Sequence, residues 1–236
     1  SNSTITSDAG NQTISGTIDG GYTLGITSAA NLALNGDIGS STQPTELNVV
    51  TSGSGNDITL SGDIEINGPI TFTSDRDIIL NTDLIKSYAS SEDLIFRADR
   101  NITTATDDST VLVLTTTGGN ILFASDTDNS LGGAILIRGG STIDSNGGNI
   151  TFAGGDASGS GYAVGYATSG WLVEGVRLDG TTDIDSDGGN IIFRGSTTPT
   201  VNLSVADGGG AAGVSFYYGS QDINSGTGTM YIGAKS

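Results

Sequence analysis

The feature that most constrains this chain is an internal repeat made of short apolar runs separated by glycine and small polar residues. The segment Gly-Gly-Asn-Ile-Leu-Phe at 118–123 returns as Gly-Gly-Asn-Ile-Thr-Phe at 147–152 and as Gly-Gly-Asn-Ile-Ile-Phe at 188–193, with a fainter copy at 226–232. Repetition at such intervals indicates a solenoid, because each unit can bury its apolar side only against neighbouring units.

Two further motifs recur in a constant order with the Gly-Gly-Asn motif. An Ile-Asp-Ser or Ile-Asn-Ser motif precedes it at 143–145, 184–186 and 223–225. A short apolar run, Val-x-Leu or similar, precedes both motifs, at 135–137, 176–178 and 214–216. Each unit therefore predicts three short strands bounded by turn residues. Gly-rich passages follow the Gly-Gly-Asn strand, as extra short coils or as excursions from one edge, at 124–133, 153–173 and 194–212.

The pattern predicts an all-β fold, an elongated right-handed parallel β-helix whose strands pair with their counterparts about 4.8 Å along the axis. Gly and Asn are expected at the corners, where they tolerate positive φ. We expect one domain over 1–236, with the clearest repeats at 132–232 and roughly nine to twelve coils of about 20–25 residues. Only residues 87–98 offer a helical alternative, and the run 93–96 fits a strand better. Neither end shows a polar cap, so we expect a segment of a longer rod.

Charge and composition exclude several classes of function. The chain has 26 acidic and 8 basic residues, a formal charge of −18, and neither cysteine nor histidine. Nucleic-acid binding needs Lys and Arg to displace counterions from phosphates, so we expect no nucleic-acid partner. No run approaches the ~18 apolar residues of a membrane-spanning helix, so we expect no membrane insertion. Disulfides and thiolate metal sites are unavailable, and the commonest general base is missing.

The succession Val-x-Leu-x-Gly, Ile-x-Ser and Gly-Gly-Asn-Ile-x-Phe resembles the repeats of filamentous-haemagglutinin-like exoproteins of the two-partner-secretion type. The likeness is clearest over 132–232 and weaker elsewhere. The resemblance implies a β-helix exported through a dedicated outer-membrane partner, an extracellular or bacterial cell-surface location, and a role as an adhesin. The secretion domain of that family begins with Asn-Pro signatures, and this sequence contains no Asn-Pro dipeptide.

Calcium is the one cofactor that the sequence offers as a candidate. Asp183, Asp185 and Asp187 form the Asp-x-Asp-x-Asp-Gly start of a calcium loop, but Arg194 stands where the bidentate Glu of such a loop is expected. The alternative is that these carboxylates simply face water, because alternate residues of a strand share one face.

Aromatic residues are the candidate ligand-binding positions. They are Tyr162, Tyr166, Trp171, Tyr217 and Tyr218, in or near the Gly-rich passages. Outward-facing rings in such loops can stack on sugars or anchor a protein partner. The alternative is that they seal the solenoid core or a corner.

The sequence therefore predicts a non-catalytic, secreted or cell-surface structural or adhesive fibre segment. Its expected partner is a glycan or a receptor on a host or neighbouring cell, bound through loops on one edge. One alternative is a self-associating filament subunit, because open strand edges template further pairing. The other is a polysaccharide lyase or glycosidase, which parallel β-helices also host. We expect Arg76, Arg97 and Arg100 to form salt bridges with nearby Asp rather than to clamp an acidic substrate.

Overall fold

The computed structural model describes residues 2–104, 111–130, 132–166, 174–197, 212–217 and 219–235. These residues contain no helix and form three sheets of ten, eight and six strands, called sheets A, B and C. All pairs of named strands are parallel, so the predicted parallel β-helix is confirmed.

The strands of each sheet recur at regular intervals along the chain. Sheet A contains β1 (Ser3–Ser7), β3 (Thr23–Ser28), β5 (Glu46–Thr51), β8 (Ile70–Ser74), β11 (Leu94–Ala98), β14 (Ile121–Ser125), β17 (Ile150–Gly154), β18 (Ala163–Val164), β21 (Ile191–Ser196) and β24 (Met230–Lys235). Sheet B contains β2 (Gln12–Ile14), β4 (Leu32–Leu34), β6 (Ile58–Leu60), β9 (Ile78–Leu80), β12 (Ile102–Thr104), β15 (Ile135–Arg138), β19 (Val176–Asp179) and β22 (Val214–Tyr217). Sheet C contains β7 (Ile64–Ile66), β10 (Leu84–Ser90), β13 (Val113–Thr117), β16 (Ser141–Asp144), β20 (Thr182–Asp185) and β23 (Gln221–Asn224).

Each coil visits sheets A, B and C in turn, as the three-strand unit predicts. In the first two coils, single residues take the place of a sheet C strand. Ile18 forms a parallel bridge to Ile38, and Ile38 forms a parallel bridge to Ile64. The described residues make eight such coils, and β24 begins a ninth. This is slightly fewer than the nine to twelve coils expected, because the later coils are longer. Equivalent positions of successive coils are 23 residues apart near the amino terminus. Beyond β14 they are 29 and then 41 residues apart.

The core is a set of side-chain columns that run along the axis. Five inward phenylalanines from successive coils stack with centroids 4.8–5.4 Å apart and planes within 14° of parallel: Phe72, Phe96, Phe123, Phe152 and Phe193. All five are fully buried. Their separation is close to the strand spacing of about 4.8 Å, so each ring covers the one below it.

The Gly-Gly-Asn motif is a corner, as the sequence predicts. Asn146 and Gly147 have positive φ values of 48° and 109°. Glycine adopts such values without a Cβ clash, and asparagine adopts them more readily than most other residues. The second glycine, Gly148, lies against the coil below, where a Cβ would stand 2.0 Å from the carbonyl oxygen of Gly119. Ser145 Oγ closes the turn by donating to the carbonyl of Gly148 at 2.6 Å.

Asparagines link the corners of successive coils. The backbone N–H and the side-chain amide of Asn149 both donate to Oδ1 of Asn120 at 2.9 Å. The backbone N–H of Asn190 donates in turn to Oδ1 of Asn149 at 2.9 Å. Corner N–H groups that the sheets leave without a partner are thereby satisfied.

The passage after β17 is an excursion and not an extra coil over the part that the structure describes. Residues 155–160 fold over the outer face of sheet A, and β18 then joins that sheet beside Gly195 and Ser196 of β21. Ala124 and Ala153 occupy outward positions yet are fully buried. Their small side chains leave room for the excursion. The end of this passage and residues 198–211 lie outside the described residues.

Candidate binding site on the outer face of sheet A

Four side chains on neighbouring strands form what we call the tyrosine–cation site: Tyr162, Arg194, Tyr231 and Lys235. Tyr162 directly precedes β18, Arg194 belongs to β21, and the other two belong to β24. Alternation along β21 buries Phe193 and Gly195 and turns Arg194 outward. The Lys235 ammonium lies 4.0 Å from the centroid of the Tyr162 ring, and the Arg194 guanidinium lies 5.7 Å from that of Tyr231.

A glycine positions the Tyr231 ring. Gly233 is the register partner of Arg194, and a Cβ there would lie 2.9 Å from Cε1 and 3.0 Å from the hydroxyl oxygen of Tyr231. The missing side chain therefore lets the ring lie across the backbone of its own strand. Tyr231 is 48% exposed, so much of the ring is open to solvent. A ring supported on one side and open on the other is a suitable platform for a ligand.

The excursion over sheet A holds the Arg194 side chain. Nη1 donates to the carbonyl oxygens of Gly159 and Ser160 at 3.2 and 3.3 Å. Asp156 shapes this turn by accepting hydrogen bonds from the hydroxyls and backbone N–H groups of Ser158 and Ser160. These donors, Ser158 first, hold the pKa of Asp156 well below its usual range. The turn is therefore organised by a carboxylate that stays ionised.

Arg194 keeps an unused hydrogen-bonding edge. Within the part of the chain that the structure describes, its Nε and Nη2 atoms make no hydrogen bond, neither atom is buried, and no carboxylate lies within 4.0 Å. Arg76 and Arg100 use the same two atoms to hold Asp57 and Asp77, respectively. The predicted salt bridging is thus observed for those two arginines.

Arg97 borders the site without an acidic partner. Its Nε donates to the carbonyl oxygen of Ala157 at 2.8 Å, at the other end of the turn that holds Arg194. Among the described residues, no carboxylate forms an ion pair with Arg97 or Lys235. The prediction of a salt bridge is therefore wrong for Arg97, because the excursion brings a carbonyl and not a carboxylate to it. Three of the eight basic residues of the chain therefore lie on this face without an acidic partner among the described residues.

The structure does not bring together the three predicted aromatic positions that it describes, Tyr162, Tyr166 and Tyr217. Tyr162 belongs to the tyrosine–cation site. Tyr166 lies beside Arg100, whose guanidinium is 5.0 Å from the ring centroid, and Tyr217 lies on sheet B, 4.2 Å from the guanidinium of Arg177. Trp171 and Tyr218 lie outside the described residues. The sequence motif therefore found one member of the site.

The three aspartates of the predicted calcium loop are distributed between a strand and a corner. Asp183 and Asp185 face outward on β20, and Asp187 occupies the next corner with φ 50°. The oxygens of Asp185 already accept from the backbone N–H of Asp187 at 2.8 Å and from the amide of Asn224 at 3.1 Å. Within the described ranges, no group of three or more acidic side chains is arranged to hold a metal ion.

A second acidic group lies where sheet A turns toward sheet B. Asp126 is 2% exposed, and burial raises its pKa to about 6, with Asp128 and Asp99 adding repulsion. The N–H of Gly132 donates to Asp126 at 3.1 Å and opposes that rise. Burial also raises the pKa of Asp99, against a hydrogen bond from Thr127. A carboxyl that is protonated near pH 6 can act as an acid, but Asp126 is shielded from any large substrate.

Sequence reasoning missed Arg194, Tyr231 and Lys235. The usable signal was the faint fourth copy of the Gly-Gly-Asn repeat, which aligns 191–196 with 230–235 and so places Gly233 opposite Arg194. That alignment does not reveal the turn at 155–160 or the open edge of Arg194.

Comparison of the chain with protein-family models, curated proteins and solved structures finds no match in any of the three. The described residues include no helix that is long and apolar enough to span a membrane. Functional inference therefore depends on the geometry of the solenoid and of its outer faces.

Proposed function

We propose that this chain is a segment of a secreted or cell-surface β-solenoid that binds a glycan or surface partner without catalysis. The resemblance to filamentous-haemagglutinin-like repeats supports the location and the adhesive role. The observation that carries the binding role is the tyrosine–cation site. There the open ring of Tyr231 lies near Arg194 and the ring of Tyr162 lies near Lys235, and neither cation has an acidic partner among the described residues.

Electrostatics favour a binding role for these cations over a purely structural one. In a chain with a formal charge of −18, carboxylates are the most available partners, and Arg76 and Arg100 have found them. Arg97, Arg194 and Lys235 instead place three positive charges on one face of a chain whose net charge is negative. Charges are screened over about 8 Å at physiological salt. A ligand at the site therefore interacts mainly with these nearby cations and much less with distant carboxylates.

Retention on immobilised polysaccharides tests the proposal, with the eluate assayed for shortened sugars. We expect at least one polysaccharide to retain the protein without being cleaved, and Tyr231→Ala to weaken that retention. Tyr88→Ala is the matched control, because Tyr88 is also exposed, at 43%, but lies on sheet C. Absence of retention across neutral and anionic polysaccharides contradicts the proposal.

Catalysis is the first alternative, and the observation that favours it is the raised pKa of Asp99 and Asp126. Asp126 is almost fully buried, whereas a catalytic acid must reach the glycosidic oxygen of a polymer, so burial argues against a catalytic role for Asp126. Release of shortened sugars by the wild-type protein, abolished in Asp126→Asn, would establish this alternative.

Self-association into a filament is the second alternative. Apolar side chains are exposed on the first coil and the last two, at 40–49% for Ile5, Phe216, Met230 and Ile232. Unpaired strand edges there can accept further strands. Light scattering over a dilution series distinguishes this alternative, because association through ends gives a mass that rises with concentration.

A further inference from the structure

We propose that the tyrosine–cation site recognises a glycan bearing carboxylate groups, such as a chain of uronic acids, and that Arg194 holds one carboxylate through two parallel hydrogen bonds. This inference rests on the binding function proposed above and names the ligand class of that site.

The unused edge of Arg194 is the main observation. The Nε–H and one Nη2–H of a guanidinium point the same way and match the two oxygens of a carboxylate. Arg76 and Arg100 show this pairing twice within the same molecule, with Asp57 and Asp77. In Arg194 the same two atoms are not fully buried and have no partner among the described residues, while its Nη1 is held by the carbonyls of the 155–160 turn.

The turn orients the guanidinium in advance. Fixing Nη1 on the carbonyl oxygens of Gly159 and Ser160 limits rotation of the side chain before a ligand arrives. A pre-ordered donor loses less conformational entropy on binding. Asp156, the carboxylate of this turn, forms no ion pair with Arg194, and the hydroxyls of Ser158 and Ser160 engage its two oxygens. It therefore leaves the edge of Arg194 open.

The other members of the site suit the remainder of an acidic sugar. Tyr231 offers an open ring face, and aromatic faces pack against the C–H groups of a sugar ring. Lys235 adds a second positive charge on the adjacent strand, above the ring of Tyr162. A neutral sugar would use the rings but would leave both cations without a counter-charge.

Wild-type protein and one polymer in two chemical forms provide the decisive comparison. Polygalacturonate and its fully methyl-esterified form share a backbone, but the ester carries no charge. We expect affinity for the ester, measured by calorimetry, to be about 10- to 100-fold lower, because a charge-assisted pair contributes about 1.5–3 kcal/mol. Equal binding of both forms overturns the inference and leaves the binding function standing. Failure of every polysaccharide to bind removes the binding function itself.

A conservative variant tests the two-pronged contact separately from charge. Arg194→Lys keeps the positive charge but loses the planar edge, so we expect affinity for polygalacturonate to fall about tenfold. Lys86→Gln removes a charge from sheet C and is expected to leave affinity unchanged. Dextran sulfate reports general attraction to polyanions. If it binds as tightly as polygalacturonate, or if Arg194→Lys binds like wild type, carboxylate recognition by Arg194 is wrong.

Discussion

Phe152 and Phe193 stack with ring centroids 4.9 Å apart and planes 2° from parallel, although the excursion over sheet A separates their strands. The coil thus returns to the same register after leaving the helical path. A well-packed aromatic column makes this possible, because a one-residue slip would turn every inward side chain of β21 outward.

The Phe column predicts a strong dependence of stability on its middle ring. Phe123 is fully buried between Phe96 and Phe152, so Phe123→Ala is expected to lower the free energy of unfolding by about 3–5 kcal/mol. Phe216→Ala serves as the control, since Phe216 is 40% exposed, and a loss of about 1 kcal/mol or less is expected. Denaturant titration followed by circular dichroism measures both, and similar losses would contradict the importance of the column.

The corner glycines predict a second contrast. A Cβ at Gly148 would lie 2.0 Å from the Gly119 carbonyl oxygen, so Gly148→Ala must push two coils apart and is expected to cost about 2 kcal/mol or more. Gly16 has nothing within 4 Å of a Cβ and no positive φ, and Gly16→Ala is expected to change stability by about 0.5 kcal/mol at most. Thermal melting distinguishes these outcomes; a tolerated Gly148→Ala would mean that the coils adjust freely at this corner.

The hydrogen bonds that link Asn120, Asn149 and Asn190 predict that the side-chain oxygen of Asn149 contributes more to stability than its side-chain NH2 group does. Asn149→Ala removes the oxygen that receives the Asn190 N–H, and a loss of about 1 kcal/mol is expected. Asn149→Asp keeps that oxygen, and Asp93 already fills the equivalent position below Asn120, so a smaller loss is expected. Urea midpoints of the two variants test the order, and a costlier Asp variant would show that the amide donor to Asn120 dominates.

The raised pKa of Asp126 predicts that this part of the solenoid is more stable at acidic pH than at neutral pH. Its folded pKa of about 6 lies above the ordinary value of 3.8, so the folded state binds its proton more tightly than the unfolded state does. This contribution is fully present below about pH 4 and is lost as pH rises through about 6. The melting temperature should therefore fall from pH 4 to pH 7 in the wild type. In Asp126→Asn, which keeps an acceptor for Gly132, the fall should be smaller; an unchanged pH dependence would rule Asp126 out as its source.

Substitution of Asp156 is expected to weaken ligand binding without lowering the stability of the fold. The turn that it organises lies on the surface, so Asp156→Ala should leave the melting temperature nearly unchanged. The carbonyls that hold Arg194 would lose their fixed positions, and polygalacturonate affinity should fall several-fold. Asp222→Ala, which removes the same charge from an exposed position on sheet C, is the control. Tighter binding by Asp156→Ala would mean that repulsion by this carboxylate outweighs its role in the turn.

The repeat predicted the fold well because its determinants are local. The Gly-Gly-Asn corner follows from the backbone freedom of glycine and asparagine, and the inward Phe123, Phe152 and Phe193 follow from alternation along a strand. The aromatic positions were a poorer guide to the site. Of the three aromatic positions that the structure describes, Tyr162 alone lies there, because position in a Gly-rich passage does not say which face of the solenoid that passage will cover.

The sequence by itself determined the three-strand unit, the corners and the apolar columns, since each depends on a few adjacent residues and on their repetition. Only the tertiary structure decided which charges meet. Arg76 and Arg100 reach an aspartate in the coil below, whereas Arg194 meets the carbonyls of the excursion and keeps an edge open. The physical reason is that contacts between coils depend on the length and path of the chain between them, which no local pattern of residues specifies.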